Sequence, residues 1–231
     1  MILDPIATVR SCFGGKFGTP RQPGLCPSAW GSLVFHPAYR SEEAIRGIEG
    51  FSHLWLIFGF HETVEQGWKP TVRPPRLGGN QRIGVFASRS TFRPNGLGLS
   101  LVRLEGVDRT AVDGPILKLA GLDLVDGTPI FDVKPYLPYA EALPEAAGGF
   151  AAEALVRLPV EVEPAAAEAF EALSIRARAV IQEALSLDPR PATQLADPAR
   201  IFGASLCGCN VRFTVRDGIC RIVEIQPVGI P

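Results

Sequence analysis

Hydrophobic positions over the first 140 residues come in short bursts separated by glycine and proline. In the clearest burst, Phe51–His61, Leu54, Leu56, Phe58 and Phe60 alternate with His53, Trp55, Ile57, Gly59 and His61. Successive side chains of a strand point to opposite faces, so a period of two predicts a strand with one large-hydrophobic face. The other face carries both histidines, either toward a polar cavity or interface or satisfied by backbone in a core. Gly31–Phe35, Ile83–Ser88, Leu99–Val107, Ile116–Leu124 and Ile130–Pro135 are further aliphatic or aromatic runs bounded by turn-formers, and each is a predicted strand. Arg40–Glu49 is predicted as a single short helix. A total of 24 glycines and 21 prolines fits a barrel or sandwich better than a helical fold.

The pattern changes near residue 142. Ala142–Ala152 is rich in Ala, Gly and Glu and reads as a linker. Leu155–Val162 alternates as a strand. From Pro164 to Leu187 the positions Phe170, Leu173, Ala177, Val180, Ile181, Ala184 and Leu185 follow the helical period, with Asp188-Pro189 as the stop. Asn210–Val215, the turn Arg216-Asp217-Gly218 and Ile219–Gln226 form a hairpin signature. The expected organisation is a mainly β domain over 1–143 and a small α+β domain over 150–231.

Composition narrows this picture. The 231 residues are 46% hydrophobic, which excludes global disorder, and no apolar run nears the ~20 residues of a membrane span. No basic or apolar leader is visible at the start, and Cys12, Cys26, Cys207, Cys209 and Cys220 are an odd, scattered set. Both features suit free thiols in a reducing cytoplasm. Net charge is only −1, which argues against a nucleic-acid partner until its distribution is examined. Residues 66–103 hold Lys69, Arg73, Arg76, Arg82, Arg89, Arg93 and Arg103 and no acid, whereas 104–172 hold 4 basic and 13 acidic residues. Such a block is either a solvated face or a surface for phosphates and bases.

Familiar templates are missing. No Gly-x-Gly-x-x-Gly links a strand to a helix, and there is no Walker A sequence and no Gly-x-Ser-x-Gly elbow. Cys207-Gly208-Cys209 lacks the further ligands of a zinc site, and no metal is expected. Chemistry gathers elsewhere. Pro74 and Pro75 stiffen the chain between Arg73 and Arg76. Ser88-Arg-Ser-Thr-Phe-Arg-Pro-Asn95 places two arginines and three hydroxyls on a loop without an acidic neighbour. Asp123, Asp126 and Asp132 interrupt an apolar stretch, as turn and edge residues or as carboxylates facing a ligand. Arg190 sits between two prolines, at a helix stop or at a contact.

Six of these segments, in order, carry a resemblance. They are Phe17-Gly-Thr-Pro-Arg-Gln-Pro-Gly24, Phe51-Ser-His-Leu-Trp55, Val72-Arg-Pro-Pro-Arg-Leu-Gly-Gly-Asn80, Gly84-Val-Phe-Ala-Ser-Arg-Ser90, Phe92-Arg-Pro-Asn95, and Leu124-Val-Asp-Gly-Thr-Pro129 with Asp132-Val-Lys-Pro-Tyr136. They resemble the TsaA-like (YaeB, TrmO) family over nearly the whole chain, and Asp188-Pro-Arg-Pro191 with the closing hairpin resembles that family's C-terminal domain. The resemblance implies a single-sheet antiparallel β-barrel rather than a Rossmann sheet. It also implies S-adenosylmethionine-dependent N6-methylation of threonylcarbamoyl-adenosine beside the anticodon of threonine tRNAs, by a homodimer. By motif match the cofactor residues would be Arg21, Gln22, Phe60, His61, Glu62, Arg89, Leu99, Leu122, Asp123, Leu124, Val125 and Asp126. Asp126 and Arg89 are the expected catalytic pair, Asp126 assisting proton loss or orienting the acceptor. Arg73, Arg76, Arg93 and Arg190 are expected to contact tRNA. Asn95-Gly-Leu-Gly98 departs from the family's usual Asn-Pro-Ile-Gly, and Ser88 stands where threonine is common. Two other functions are compatible with these motifs: a non-catalytic RNA-binding or regulatory protein on the same fold, and a methyltransferase for another substrate.

Overall fold

The computed structural model describes residues 3–191, 194, 197 and 200–228. The chain separates into two compact units. One comprises Met1–Arg10, Ser32–Leu119 and Gly127–Ala154, and the other Ser11–Gly31, Ala120–Asp126 and Leu155–Pro231. The segments interleave, so sequence neighbours at positions 10–11, 31–32, 119–120, 126–127 and 154–155 belong to different units.

The first unit is built on a closed barrel. Its strands are β1 (Ala7–Ser11), β2 (Trp30–Phe35), β3 (His53–Gly59), β6 (Leu97–Asp108), β7 (Ile116–Ala120) and β8 (Pro129–Pro135), in the order β1-β2-β7-β6-β3-β8. The β1–β8, β3–β6 and β3–β8 pairs are antiparallel. A two-stranded ribbon, β4 (Thr71–Val72) with β5 (Ile83–Gly84), lies in the loop between β3 and β6. The alternation in β3 decides which side faces the core. Leu54, Leu56 and Phe58 are buried, and their neighbours across the sheet include Val102, Ser100 and Gly98 on β6 and Val133 and Ile130 on β8. Each of the three burials is worth about 1.5–3 kcal/mol. Gly98 is a packing requirement: a Cβ there would lie 2.2 Å from Cζ of the Phe58 ring.

In the second unit, β10 (Phe202–Leu206), β11 (Cys209–Arg216), β12 (Ile219–Pro227) and β9 (Val160–Val162) form a sheet in the order β10-β11-β12-β9, with β9 parallel to β12. After the short α1 (Pro138–Glu141) of the first unit come α2 (Pro164–Glu171) and α3 (Ile175–Ser186), which supply Phe170, Val180, Ile181 and Leu185 to one core with Phe13, Phe202 and Phe213. Phe17, Phe202 and Phe213 stack with ring centroids 5.6–6.1 Å apart. Both hairpins turn on left-handed pairs, Cys207-Gly208 and Asp217-Gly218, whose positive φ matches a type I′ turn to the twist of the strands.

Several expectations need adjustment. The predicted 164–187 helix is two helices, because the Ser174 hydroxyl accepts the Ala177 amide and starts a new one. Arg40–Glu49 is not an α-helix but a run of turns ending in a 3-10 turn at Ile48–Gly50. Gly47 there adopts φ +86°, and only Ile45 is buried, so the segment has no apolar stripe to pack. The predicted Ile83–Ser88 strand stops at Gly84 and continues as a 3-10 turn, Val85–Ala87. β1, β4 and β10 lie outside the predicted strands.

Candidate active site

The second unit contains Arg21, Gln22 and the run Leu122–Asp126. Gly24 donates its amide to the Gly121 carbonyl (2.9 Å), and Gly121 donates to Ala29 (2.8 Å), so the 17–24 motif and the aspartate run lie side by side. Gly121 has φ +70°, a left-handed conformation that L side chains rarely adopt, which explains the absence of a side chain. Leu122 and Leu124 are buried, leaving Asp123, Val125 and Asp126 on the half-buried side.

Asp126 is held at two points. Its Oδ1 accepts the Ser11 amide at 2.8 Å, and its own amide donates to Phe13 O at 2.8 Å. A charge-assisted bond of that type is worth about 1.5–3 kcal/mol and fixes the direction of the carboxylate. Ser11 lies 115 residues away in sequence, and a serine beside a cysteine carries no motif that marks it. Loss of solvation draws the Arg21 pKa down, and the charge of Asp188 opposes that shift. Asp188 also makes a two-pronged ion pair with Arg190, at 2.7 Å to Nε and 2.8 Å to Nη2, which raises the Arg190 pKa.

The first unit contains Phe60, His61, Glu62, Arg89 and Leu99. Strand β3 ends at Gly59, so the period-two register does not extend to His61, which instead opens a 3-10 helix, His61–Gln66. His61 and Glu62 are exposed there. The Phe60 amide donates to Gly96 O (2.8 Å), and its ring meets Phe58 edge-on at 5.0 Å. Leu99 opposes Ile57 on the outer side of the barrel and is 53% exposed. Of the histidine face, His53 and Trp55 are half-buried against Tyr136, and Trp55 donates to Glu141.

The basic block divides by role. Arg93 donates from Nη1 to the carbonyls of Ser88 (2.8 Å) and Val85 (3.2 Å), so its guanidinium clips the loop that carries Arg89. The Ser88 hydroxyl reinforces that loop by donating to Val85 O. Arg73, Arg76, Arg82 and Arg89 are exposed, and Arg76 donates to Glu153 O. Arg190 is committed to Asp188, with its side chain only 10% exposed. Among the described residues, no three His, Cys, Asp or Glu side chains form a possible metal site, and no helix is long and apolar enough to cross a membrane.

Two family models match the chain: the tRNA-methyltransferase O N-terminal domain over residues 8–142 and the TrmO C-terminal domain over 155–228. A tRNA (adenine(37)-N6)-methyltransferase of Escherichia coli is 47% identical, with 97% of each chain covered. One from Eikenella corrodens is 46% identical over 77% of this chain and 98% of its own. A crystal structure of TrmO from Pseudomonas aeruginosa superposes with a TM-score of 0.80 at 37% identity, covering 98% of this chain and 97% of that one.

Proposed function

The chain belongs to the tRNA-methyltransferase O family, and we propose that it is an S-adenosylmethionine-dependent methyltransferase acting on N6 of a tRNA adenosine beside the anticodon. The similarity that carries this reading runs end to end: 47% identity to the E. coli enzyme over 97% of both chains. Within the reading, the acceptor is threonylcarbamoyl-adenosine in threonine tRNAs, and the enzyme works as a homodimer in the cytoplasm.

When bound, S-adenosylmethionine supplies an electrophilic methyl carbon on a sulfonium. The residues present suit such a group: Glu62, Asp123 and Asp126 offer carboxylates for its positive charges, and Phe60 and Leu99 offer apolar surface. We assign its binding to Arg21, Gln22 and Leu122–Asp126 in the second unit and to Phe60, His61, Glu62, Arg89 and Leu99 in the first. A substituted adenine N6 is a weak nucleophile that must lose a proton during or after attack. Asp126, oriented by Ser11, is the residue assigned to accept that proton or to orient the acceptor. Arg89, on the loop that Arg93 clips, organises the site. Much of the rate then comes from holding two substrates in line. For tRNA, exposed Arg73 and Arg76 are assigned to phosphates or stacked bases. Arg93 and Arg190 serve the same contact by shaping the segments that carry it.

The test is direct. Purified protein is incubated with S-adenosylmethionine and threonylcarbamoylated threonine tRNA, and the nucleosides are analysed by mass. A methyl gain on the threonylcarbamoyl nucleoside is expected. Cofactor binding without that gain would point to another acceptor, and no cofactor binding would overturn the enzyme reading.

A further inference from the structure

The mechanism leaves the cysteines unused, yet two of them are paired in space. Phe13 and Leu206 form an antiparallel bridge, flanked by Gly14 N–H to Ser205 O at 3.0 Å and Cys207 N–H to Cys12 O at 2.7 Å. In that register Cys12 stands opposite Cys207, joined by one backbone hydrogen bond while the Cys12 amide goes to Trp30 O at 3.1 Å. Opposed residues of an antiparallel pair have Cα atoms about 4.5–5.5 Å apart, inside the roughly 4.4–6.8 Å range that a disulfide spans. The neighbouring Cys207 thiol draws the Cys12 pKa below its ordinary value against the opposing effect of burial, and Cys12 with burial pushes the Cys207 pKa up. Cys12 is thus the more readily ionised thiol of the two.

Its position is unusual in two further ways. Cys207 occupies the first left-handed site of a type I′ turn (φ +53°), where Asn, Asp or Gly is preferred. Cys12 lies between the two groups that hold Asp126, the amide of Ser11 and the carbonyl of Phe13. Cys12 is 6% exposed and Cys207 half-buried, so Cys207 is the sulfur nearer solvent.

We infer that Cys12 and Cys207 form a reversible disulfide site, closed by hydrogen peroxide, whose closure loosens the hold on Asp126. The Cys12 thiolate attacks the peroxide. An S–O bond forms, the O–O bond breaks, and the departing hydroxide takes up a proton as water. Cys207 sulfur then attacks the sulfenic sulfur. The S–S bond forms, the S–O bond breaks, and a second water leaves with the Cys207 proton. Two thiols are oxidised by two electrons in all, and one peroxide is reduced to two waters. Closing the bond draws the two sulfurs into covalent contact, and the strand Ser11–Phe13 takes up the displacement. The consequence for cofactor affinity rests on the proposed role of Asp126; the linkage itself does not.

To test it, the reduced full-length protein is titrated with hydrogen peroxide, remaining thiols are alkylated, and linked tryptic peptides are mapped. A Cys12–Cys207 link is expected, with S-adenosylmethionine affinity about tenfold weaker in the oxidised protein and restored by dithiothreitol. Cys207→Ser is expected to form no link and to leave a dimedone-reactive sulfenic acid on Cys12. Should that variant fail to fold, the wild-type linkage map decides alone. No link under excess peroxide, a link between other thiols, or a link with unchanged affinity overturns the inference. A reduced protein that binds no S-adenosylmethionine overturns the enzyme reading instead, and the map still decides the thiol pair.

Discussion

Gly98 offers the sharpest test of how the barrel is packed. It lies opposite Phe58 on β6, and a methyl group at its Cβ would sit 2.2, 2.6 and 2.7 Å from three atoms of the Phe58 ring. Those distances are far inside van der Waals contact. The ring has little room to retreat, because Phe58 is 6% exposed and Phe60 packs edge-on against it at 5.0 Å. Gly98→Ala therefore forces a ring rotation or a strand shift, and overpacking of this type costs about 1–3 kcal/mol. In a chain of this size, a loss of about 2 kcal/mol lowers Tm by roughly 4–8 °C. Gly84→Ala is the control: nothing lies within 4 Å of its Cβ, and its φ is −61°. That change should be neutral or stabilising by up to about 1 kcal/mol. Urea unfolding of both variants, with Phe58→Leu and the Gly98→Ala/Phe58→Leu pair, completes a double-mutant cycle. The smaller side chain should recover at least half of the loss. If Gly98→Ala unfolds within 0.5 kcal/mol (about the noise of such a cycle) of wild type, the ring does not fill that slot and the argument fails.

Three further outcomes follow from the site and the second unit. Asp126→Asn keeps an oxygen for the Ser11 amide but removes the carboxylate's charge and basicity, so turnover should fall by about 10²–10⁴ and S-adenosylmethionine should bind more weakly; wild-type turnover with unchanged cofactor affinity would remove Asp126 from the site. Reversing Arg73 and Arg76 to Glu should weaken tRNA binding and lower the slope of log K against log salt by roughly 1–2, as measured by filter binding across salt concentrations; an unchanged slope would assign both arginines to solvent. Ser174→Ala removes the cap that starts α3, and about 1 kcal/mol of stability should go with it in thermal melts; no change would mean that water caps the helix equally well.

Strand alternation made much of the barrel legible. Leu54, Leu56 and Phe58 are the buried face of β3, as their spacing requires, because burial on one side of a sheet leaves a period of two in the sequence. Element ends were less legible. His61 was placed in register with His53 and Trp55, but Gly59 ends the strand and Phe60 turns to bond Gly96, a partner 36 positions away that no local pattern announces. The helix break at Ser174 was readable in principle, since a serine before Ile175 and three residues before Ala177 is a cap. The helical period on both sides of it concealed the break.

Charge was the poorest guide, and the reason is physical. Counting residues treats a guanidinium as satisfied only by a carboxylate, so Arg93, with no acid in its block, was assigned to an external phosphate. Its Nη1 also meets two carbonyl oxygens of its own loop, acceptors that every residue carries and no charge count can see. Asp126 presents the converse case. Asp126-Gly127 is an ordinary turn signal, and Gly127 does take φ +81°, so the sequence offered a sufficient local reason for the aspartate. A turn aspartate spends its carboxylate on amides one or two positions ahead, whereas this one accepts the amide of Ser11 from a distant strand. The turn accounts for the glycine, and the Ser11 amide accounts for the direction of the carboxylate. The same clamp ties Asp126 to the strand bearing Cys12. The group proposed to meet the substrate and the group proposed to sense oxidant are thus adjacent parts of one piece of backbone.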